Sequence, residues 1–506
     1  MTEIKTQEQK PPYGIIAILF IGAFVAILNE TFLNVALPSI MEEFQVKPAV
    51  VQWLATGYML VNGILIPASA FFIQRFTNRS IFIAAMSLFT IGTLLASISP
   101  TFGILLTARM IQASGSAIMM PLLMNVMLVA FPIEKRGQVM GFFGLVMIVA
   151  PALGPTLSGV IVEHFSWRML FNIVLPFSIF SLVYAIFRLK NFTPQNKIKL
   201  DVLSIILSSI GFGGLLYGFS SAGDLGWNDP LVYGTIIAGV IGLVWLILRQ
   251  FKLEEPLLEF RVFKYPMFAL SSAISVTISL ALFSGMILVP IYLQTVRPFS
   301  PTEAGLLMLP GAIIMGIMSP ISGRLFDKHG ARGLAIIGLT IVIVATFFFS
   351  KLSLTTPYLL VALMFSIRTF GMSLVNMPVM TNGLNQLPMK DYPHGTAVNN
   401  TLSQVSGAIG SALLVTVMNK RMEFRLEEMA NEPVDMSLID PNSSVDVPTQ
   451  IGNIAMLNGI NFSFLVSAII LIVALILAFF IKRVPVGKPV SETAVAPDET
   501  SKIEEK

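Results

Sequence analysis

The chain has no cysteine, only three histidines and few charged residues for its length. Without cysteine, it cannot form disulfide bonds, thiolate metal sites or a cysteine nucleophile. His164, His329 and His394 are far apart in the sequence, so we expect no imidazole metal cluster and no metal site. Charged residues make up 12% of the 506 residues, about half of the ~25% typical of soluble domains. With 55% hydrophobic residues, this composition predicts an integral membrane protein.

Long apolar segments fill most of the chain. A helix needs about 20 apolar residues to cross a hydrocarbon core ~30 Å thick. These segments lack the period-two alternation of barrel strands, so we predict an all-α integral membrane protein with 14 transmembrane helices. The predicted spans are 14–38, 49–73, 80–99, 102–131, 137–162, 169–187, 202–222, 231–248, 268–294, 304–323, 333–350, 357–385, 394–418 and 460–481.

The distribution of Lys and Arg predicts the orientation. An even number of spans places both termini on one side of the membrane. If that side is the cytoplasm, the cytoplasmic segments carry 23 of the 32 basic residues and the outer segments carry seven, while Arg109 and Arg368 lie within spans. Because positive charge accumulates on the cytoplasmic side, we expect both termini to be cytoplasmic. The first span contains Glu30 and lacks a cleavage site, so it is interpreted as a retained helix.

Two short patterns recur in the two halves of the chain. Arg109 begins a run that ends in Met-Pro-Leu-Leu-Met-Asn at 120–125, and Arg368 begins one that ends in Met-Pro-Val-Met-Thr-Asn at 377–382. The loop 74–79 is echoed by 327–332. Chance coincidence is one explanation. The other is a duplicated six-helix unit, the architecture of secondary transporters whose halves rock about a central site.

The predicted organisation follows from this repeat and from local composition. Two six-helix bundles are separated by two inserted helices, and the two polar segments lie outside the membrane. The predicted parts are a cytoplasmic N-terminus at 1–13, an N-terminal bundle at 14–190, the inserted helices at 200–250, a C-terminal bundle at 265–483 that contains an extracellular loop at 419–459, and a disordered cytoplasmic tail at 484–506.

Span 5 carries a spaced set of small residues. The positions follow the order Gly, eight residues, Gly, three residues, Gly-Pro, two residues and Gly-Gly, with two of the glycines replaced by other small residues. They are Gly141, Ala150, Gly154, Pro155, Ser158 and Gly159. This spacing resembles the antiporter signature of the major facilitator superfamily, specifically its fourteen-span drug:proton antiporters of the EmrB/QacA group.

Other segments support the same resemblance. The loop 323–332 is similar to the superfamily's Gly-x-x-x-Asp-Arg-x-Gly-Arg motif, whereas its first-half counterpart has Gln74 where Asp is expected. The run from Arg109 to Gly115 is similar to the family's Arg-x-x-Gln-Gly motif. Asn29 and Glu30 stand where most members of the group have Asp-Thr, and this string resembles the lincomycin-exporter LmrB branch.

The resemblance implies a major facilitator fold in a bacterial plasma membrane, with the two inserted helices between the bundles. It implies a proton-coupled multidrug efflux transporter that exports amphiphilic compounds by alternating access. Such a protein is not an enzyme, and it uses the proton as coupling ion with no other cofactor. The implied partners are small amphiphilic substrates, protons and the lipid bilayer, with no nucleic acid, and the implied state is a monomer.

Glu30 and Arg109 are the candidate proton-coupling residues. Glu30 is the only acidic residue placed well within the hydrocarbon region, where an ionised side chain costs ~2.5–3.5 kcal/mol. A carboxyl held between burial and a nearby cation can titrate near neutral pH. Arg109 stays charged and must face the protein interior, and the resemblance makes it the partner of Glu30. The alternatives are a Glu30 that snorkels or is locked in a salt bridge, and an Arg109 that only satisfies carbonyl groups.

Three further sets of residues are predicted to take part. Polar residues of the spans are candidates to bind substrate, although they also tie helices together. These are Asn29, Asn34, Gln52, Tyr58, Gln112, Asn376 and Asn400. Small residues and proline let span 5 approach its neighbours and bend, or serve ordinary helix packing; these are Gly141, Gly154, Pro155 and Gly159. Loop charges either close a cytoplasmic gate or only set topology; these are Arg75, Asp327, Lys328 and Arg332.

Other functions remain open from the sequence. One is a dedicated exporter of an endogenous metabolite, lipid or signalling molecule, and another is a non-transporting membrane sensor or scaffold. An importer is disfavoured by the span 5 signature. The chain has no Gly-x-x-x-x-Gly-Lys-[Ser/Thr] loop, so pumping driven by ATP bound to this chain is not expected.

Overall fold

The computed structural model describes residues 13–46, 48–51, 53–189, 191, 201–254, 256–297, 299–431 and 446–483. These residues form helices and connecting turns, without a β-strand among them. The predictions for residues 1–12, for Gln52 and for 484–506 lie outside this part. The helices are α1 (Tyr13–Phe44), α2 (Pro48–Val51), α3 (Trp53–Arg75), α4 (Asn78–Ser97), α5 (Phe102–Ala130), α6 (Ile133–His164), α7 (Arg168–Arg188), α8 (Val202–Leu225), α9 (Pro230–Gln250), α10 (Pro266–Ile291), α11 (Pro301–His329), α12 (Ala331–Phe349), α13 (Tyr358–Ser373), α14 (Asn376–Leu384), α15 (Tyr392–Asn431) and α16 (Val447–Ala478).

The long helices have the length and composition of membrane spans. Twelve stretches of the described residues are long and apolar enough to cross a bilayer. Each of the predicted spans overlaps at least one of these helices, and α6 and α10 are also 32 and 26 residues long. The all-α membrane fold is therefore confirmed, and the number of fourteen spans stays a prediction.

The helices pack as two groups joined along a seam. Apart from α6 and α11, which pack mainly on each other, the helices α1 and α3–α7 pack mainly among themselves, and so do α10–α16. The groups meet chiefly where α6 packs along α11, and also where α3 packs against α15. The inserted helix α8 pairs with α9 and contacts both α3 and α15, so it lies beside the second of these seams.

Close helix crossings recur in the two groups. In the first, a Cβ on Gly115 of α5 would lie 2.2 Å from the Ala85 carbonyl oxygen of α4. In the second, a Cβ on Gly371 of α13 would lie 2.8 Å from the Gly338 carbonyl oxygen of α12. Backbones that touch in this way require a residue without a side chain. The two crossings occupy matching places in the repeat inferred from the sequence.

The two halves differ in helix continuity near the proline of the repeated Met-Pro pattern. Span 12 was predicted as one segment over 357–385, but it is interrupted between α13 and α14 at residues 374 and 375. Helix α13 ends in a tighter turn, in which the Leu374 and Val375 amides bond to carbonyls three residues back. Pro378 has no N–H to donate to the carbonyl of Leu374, which favours a break there. In α5, Pro121 lies inside a continuous helix.

The segment 419–459 differs from the predicted loop. Helix α15 continues to Asn431 and α16 begins at Val447, so polar helical turns cover both ends of this segment. Ion pairs one turn apart, Lys420 with Glu423 and Arg425 with Glu428, stabilise the polar turns of α15. A span predicted from hydropathy ends where polar residues begin. The helix itself can continue past that point, because ion pairs and packing stabilise its polar turns.

We call one end of the molecule the basic end, defined by the chain reversals at residues 75–79, 130–136 and 324–332. It carries Arg75, Arg79, Lys135, Arg136, Arg324, Lys328 and Arg332. The reversals between α1 and α3, α4 and α5, α6 and α7, and α12 and α13 lie at the opposite end.

Candidate functional site

Arg109 lies at the centre of a buried polar cluster formed by α1, α3 and α5. Its Nη1 donates to Asn29 Oδ1 at 2.7 Å and to Gln112 Oε1 at 2.7 Å. The guanidinium carbon lies 4.2 Å from the centroid of the Tyr58 ring, in cation–π geometry. Arg109 is only 1% exposed, so amide oxygens and an aromatic face replace the water that its charge has lost.

The amide of Gln112 is itself held by a residue of α4. Its Nε2 donates to Thr93 Oγ1 at 2.8 Å, and the Thr93 hydroxyl donates to the Phe89 carbonyl at 2.7 Å. Because the nitrogen of this amide faces Thr93, its oxygen must face Arg109. Gln112 was predicted from its position one turn after Arg109, whereas Thr93 was not predicted. The sequence feature that could have indicated Thr93 is Thr346, which lies 253 positions later. The repeated loops that begin at residues 74 and 327 are separated by the same distance.

Glu30 lies beside this cluster on α1. Its carboxylate interacts electrostatically with the charge of Arg109, but within the described residues no ion pair or hydrogen bond joins Glu30 to any side chain. Glu30 also keeps part of its solvent exposure, whereas its neighbour Asn29 is buried. A carboxylate that is attracted to a cation without being paired remains free to bind and release a proton.

The cluster retains unused hydrogen-bonding capacity. Asn29 Nδ2 and Arg109 Nε are buried without a hydrogen-bond partner in the described part of the chain. Buried donors of this kind are costly unless water or a ligand satisfies them. Thus, of the predicted substrate-binding residues, Asn29, Tyr58 and Gln112 come together around Arg109.

The other predicted polar residues lie elsewhere. Asn34 lies in α1, and Asn376 is the first residue of α14. Asn400 lies two turns into α15, and its buried Nδ2 has no hydrogen-bond partner among the described residues. Asn376 and Asn400 have no described contact with the Arg109 cluster, and the side chain of Asn34 and all of Gln52 lie outside the described part of the chain.

Arg368, the repeat counterpart of Arg109, has different surroundings. Its Nε donates to Thr346 Oγ1 at 3.3 Å, and its Nη2 donates to the carbonyls of Ala281 and Leu282 at 3.2 and 3.3 Å. A Cβ on Gly285 would lie 2.1 Å from its guanidinium. Backbone carbonyls and close packing hold this side chain, which favours a structural role.

Helix α6 joins the two groups through its small residues. A Cβ on Gly141 would lie 2.5 Å from the Ser319 carbonyl oxygen of α11, and Ser319 Oγ donates to the Gly141 carbonyl at 2.6 Å. Toward the opposite end, a Cβ on Gly154 would lie 2.0 Å from Thr31 Oγ1 of α1. Gly159 has no atom within 4 Å of such a Cβ, and Pro155 lies within the continuous α6. The first half of α6 therefore packs on α11, and the second half packs on α1.

Asp327 fastens the two groups at the basic end. Its carboxylate accepts from the backbone amides of Gly137 and Gln138 of α6, at 2.9 and 3.0 Å. Arg483 donates to the carbonyl oxygen of Asp327 at 2.8 Å and to that of Lys328 at 3.2 Å. An acid near the start of α6 also interacts favourably with the helix dipole.

The other predicted gate residues form no such bridge. The side chains of Arg75, Lys328 and Arg332 are exposed and make no hydrogen bond or ion pair within the described residues. Of the predicted gate set, only Asp327 has a described side-chain hydrogen bond to the other group of helices.

Two contacts at the basic end were not predicted. Arg136 of α6 donates to the Tyr392 hydroxyl at 2.6 Å and to Asn385 Oδ1 at 3.3 Å. The Gln74 side-chain amide hydrogen-bonds the His394 ring, with 2.8 Å between the two nitrogens. Gln74 stands where the motif has Asp, so a neutral contact replaces a charged one here. From the sequence, Arg136 was counted only among the cytoplasmic basic residues, and no hydrogen-bond partner was predicted for Gln74.

This fold and site are those of a membrane carrier built from two helix bundles around a buried arginine. The sequence profile of the Major Facilitator Superfamily matches residues 19–411, and the chain belongs to that superfamily. It is therefore a multi-pass membrane transporter of small molecules and not an enzyme.

Relatives and a solved structure agree with this assignment. The chain is 51% identical to the uncharacterized MFS-type transporter YhcA of Bacillus subtilis over 87% of this chain and 82% of that one. It is 42% identical to the lincomycin resistance protein LmrB of Bacillus subtilis over 96% and 99% of the two chains. The human organic anion transporter MFSD10 has a similar fold, with a TM-score of 0.62 at 15% identity over 92% of this chain and all of that one.

Proposed function

We propose that this transporter is a fourteen-span, proton-coupled antiporter that exports amphiphilic compounds across a bacterial plasma membrane. The observation that carries the proposal is Glu30, which lies beside the buried Arg109, is partly exposed, and has no paired cation in the described part of the chain. The relative named for lincomycin resistance supports export as the direction of transport.

In the proposed mechanism, Glu30 carries the proton. When the site opens to the outside, Glu30 takes up a proton and the compound leaves. When it opens to the cytoplasm, an incoming compound displaces the proton, and the Arg109 charge stabilises the carboxylate that remains. One charge moved across 100 mV supplies ~2.3 kcal/mol, and each pH unit adds about 1.4 kcal/mol. Export can therefore be driven without ATP.

The described conformation fits one stage of this cycle. The contacts between the two groups at the basic end, Asp327 with α6 and Arg136 with Tyr392, hold that end together. Toward the opposite end, α6 turns to α1, and Gly311 of α11 packs against Phe365 of α13. With the basic end in the cytoplasm, as the positive-inside rule places it, this is a state closed to the cytoplasm.

The composition supports amphiphilic substrates. The chain has 38 Phe and 27 Met, and such side chains adapt their packing to varied apolar shapes. Glu30 is the only acid placed deep in the spans, so the site suits neutral or singly charged compounds better than dications. Asn29 Nδ2 and Arg109 Nε offer donors to a polar group of the substrate.

Transport in inside-out membrane vesicles tests the proposal. With an imposed pH gradient, acidic inside, we expect wild-type vesicles to accumulate lincomycin or another amphiphilic antibiotic and expect Glu30→Gln vesicles to accumulate none. Glu42→Gln removes an exposed acid from the same helix and should leave uptake unchanged. Undiminished uptake by the Glu30→Gln protein, at equal amounts in the membrane, would show that Glu30 does not carry the proton.

A further inference from the structure

A polar cavity of about 400 Å³ lies in the second group of helices, at the end opposite the basic end. It is formed by the turn after α12 together with α15 and α16, far along the chain from the Arg109 cluster. Its lining includes Lys351, Arg421, Asn458, Asn461 and Phe462. Two cationic and two amide side chains thus face one space, and none of the described lining residues carries a carboxylate.

Arg421 is held in place but is not neutralised. Its Nε donates to Asn458 Oδ1 at 2.9 Å, and its guanidinium carbon lies 5.1 and 5.5 Å from the ring centroids of Phe424 and Phe462. The neighbouring cations of α15, Lys420 and Arg425, each pair with a glutamate. Arg421 has no ion pair within the described residues, and neither has Lys351. Unpaired cations in one cavity favour an anion.

The amides add both kinds of hydrogen-bonding group. Asn461 Nδ2 donates to the Leu352 carbonyl at 2.8 Å, which fixes the orientation of its amide. Asn461 Oδ1 is then left buried with no hydrogen-bond partner among the described residues. Asn458 uses its oxygen for Arg421, so its nitrogen remains a donor. The cavity therefore offers several donors for an anion and one buried acceptor for a hydroxyl.

The position of the cavity indicates where the anion comes from. Its residues lie where the apolar spans 333–350, 394–418 and 460–481 end, which is the level of lipid headgroups. Phe348 and Phe462 beside it are 56% and 41% exposed, so apolar surface continues toward the hydrocarbon region. A phosphodiester at this level, attached to acyl chains, would place its phosphate and its tails in matching surroundings.

We propose that this cavity binds the headgroup of an anionic phospholipid whose headgroup bears a hydroxyl, such as phosphatidylglycerol. Arg421, Lys351 and Asn458 donate to the phosphate oxygens, and Asn461 Oδ1 accepts from the headgroup hydroxyl. With the basic end in the cytoplasm, as proposed above, the cavity takes this lipid from the outer leaflet, but binding itself does not depend on proton coupling or on export.

Lipid titrations of the purified full-length protein in neutral detergent test this site. Native mass spectrometry would measure the binding of dioctanoyl-phosphatidylglycerol, dioctanoyl-phosphatidylcholine and inorganic phosphate. We expect phosphatidylglycerol to bind at least tenfold more tightly than either of the other two. Arg421→Gln and Lys351→Gln should each weaken its binding about tenfold. Lys420→Gln, the same charge change one residue away on α15, should leave its binding unchanged.

Each other outcome contradicts the proposal. Equal weakening by Lys420→Gln would show attraction to general surface charge. Full affinity in the Arg421→Gln and Lys351→Gln proteins would show that the cavity is not the site. Inorganic phosphate that binds as tightly as the lipid, with the same dependence on Arg421, would make this a site for free phosphate. If Arg421→Gln does not fold, Lys351→Gln, which changes an exposed residue, decides the matter alone.

Discussion

Thr93 sets the orientation of Gln112. The Thr93 hydroxyl oxygen accepts from Gln112 Nε2 at 2.8 Å, so Gln112 Oε1 is turned toward Arg109, which it meets at 2.7 Å. Because the Thr93 hydrogen is used by the Phe89 carbonyl, Thr93 can only accept from Gln112. A residue of α4 thereby positions the arginine that acts on Glu30.

Thr93→Val keeps the shape of the side chain and removes its oxygen. Gln112 Nε2 is then left buried without a partner, which costs about 1–3 kcal/mol. We expect a lower melting temperature and, since Gln112 can turn away from Arg109, a shifted pH dependence of transport. Thr90→Val is the matched control, because the Thr90 hydroxyl is buried on the same helix without a hydrogen-bond partner in the described part of the chain. A Thr93→Val protein with the melting temperature and pH profile of wild type would contradict this role.

Asp327→Asn keeps the contact of Asp327 with α6 but removes its charge. Hydrogen bonds to a charged acceptor are stronger than neutral ones by about 1 kcal/mol, so the equilibrium ratio of closed to open basic end should fall roughly five- to tenfold. The chain has no cysteine, so labels on cysteines introduced at Lys135 and Arg324 can report the separation of the two groups directly. We expect a larger share of long distances in Asp327→Asn and none added by Lys328→Gln. Identical distributions in the two variants would argue against Asp327 as a latch.

Gly141→Ala and Gly159→Ala test whether the small residues of α6 are needed because another helix packs closely against them. Both glycines belong to the same spaced set, but only Gly141 lies against α11. A Cβ at 141 meets backbone atoms of Ser319 and Pro320 at 2.5 and 2.8 Å, whereas a Cβ at 159 meets nothing within 4 Å. Overpacking typically costs 1–3 kcal/mol, so we expect Gly141→Ala to lower transport about tenfold and Gly159→Ala to leave it near wild type. Transport rates at matched protein amounts measure both effects. Equal activity of the two variants would mean that α6 and α11 do not need this close contact.

The ion pair between Asp201 and Arg249 joins the two inserted helices at the basic end. Arg249 donates to both carboxylate oxygens of Asp201, at 2.8 and 3.0 Å, and against the opposing effect of burial these bonds hold the pKa of Asp201 below its ordinary value. A lowered pKa in the folded state means stability that is present above about pH 4 and is lost as pH falls through the lowered pKa.

Asp201→Asn should therefore lower the free energy of unfolding by about 1–2 kcal/mol at pH 7. As pH falls below about 4, the melting temperatures of wild type and Asp201→Asn should converge, because only wild type has this stabilisation to lose. Melting curves of both proteins from pH 7 to pH 3 would check this. A constant difference across that range would show that the effect of the substitution does not come from the charge.

Much of the fold could be predicted from local sequence, because apolar length alone marks a membrane helix. The break before Pro378 could not be predicted, since the same Met-Pro pattern at Pro121 lies in a continuous helix. Gln112 could be assigned to the face of Arg109 from helical spacing. Thr93 and the pair of Gln74 with His394 depend on which helices become neighbours. Asn29 was predicted to bind substrate, and the structure shows one of its atoms committed to Arg109.

Proton release on substrate binding tests most directly whether Glu30 is the proton carrier. The purified wild-type protein, in weak buffer near the pH of half-maximal transport, should release protons when the compound transported in the vesicle assay is added. The Glu30→Gln protein should bind the same compound, as followed by quenching of tryptophan fluorescence, and should release none. Equal proton release by wild type and Glu30→Gln at equal occupancy would contradict the account.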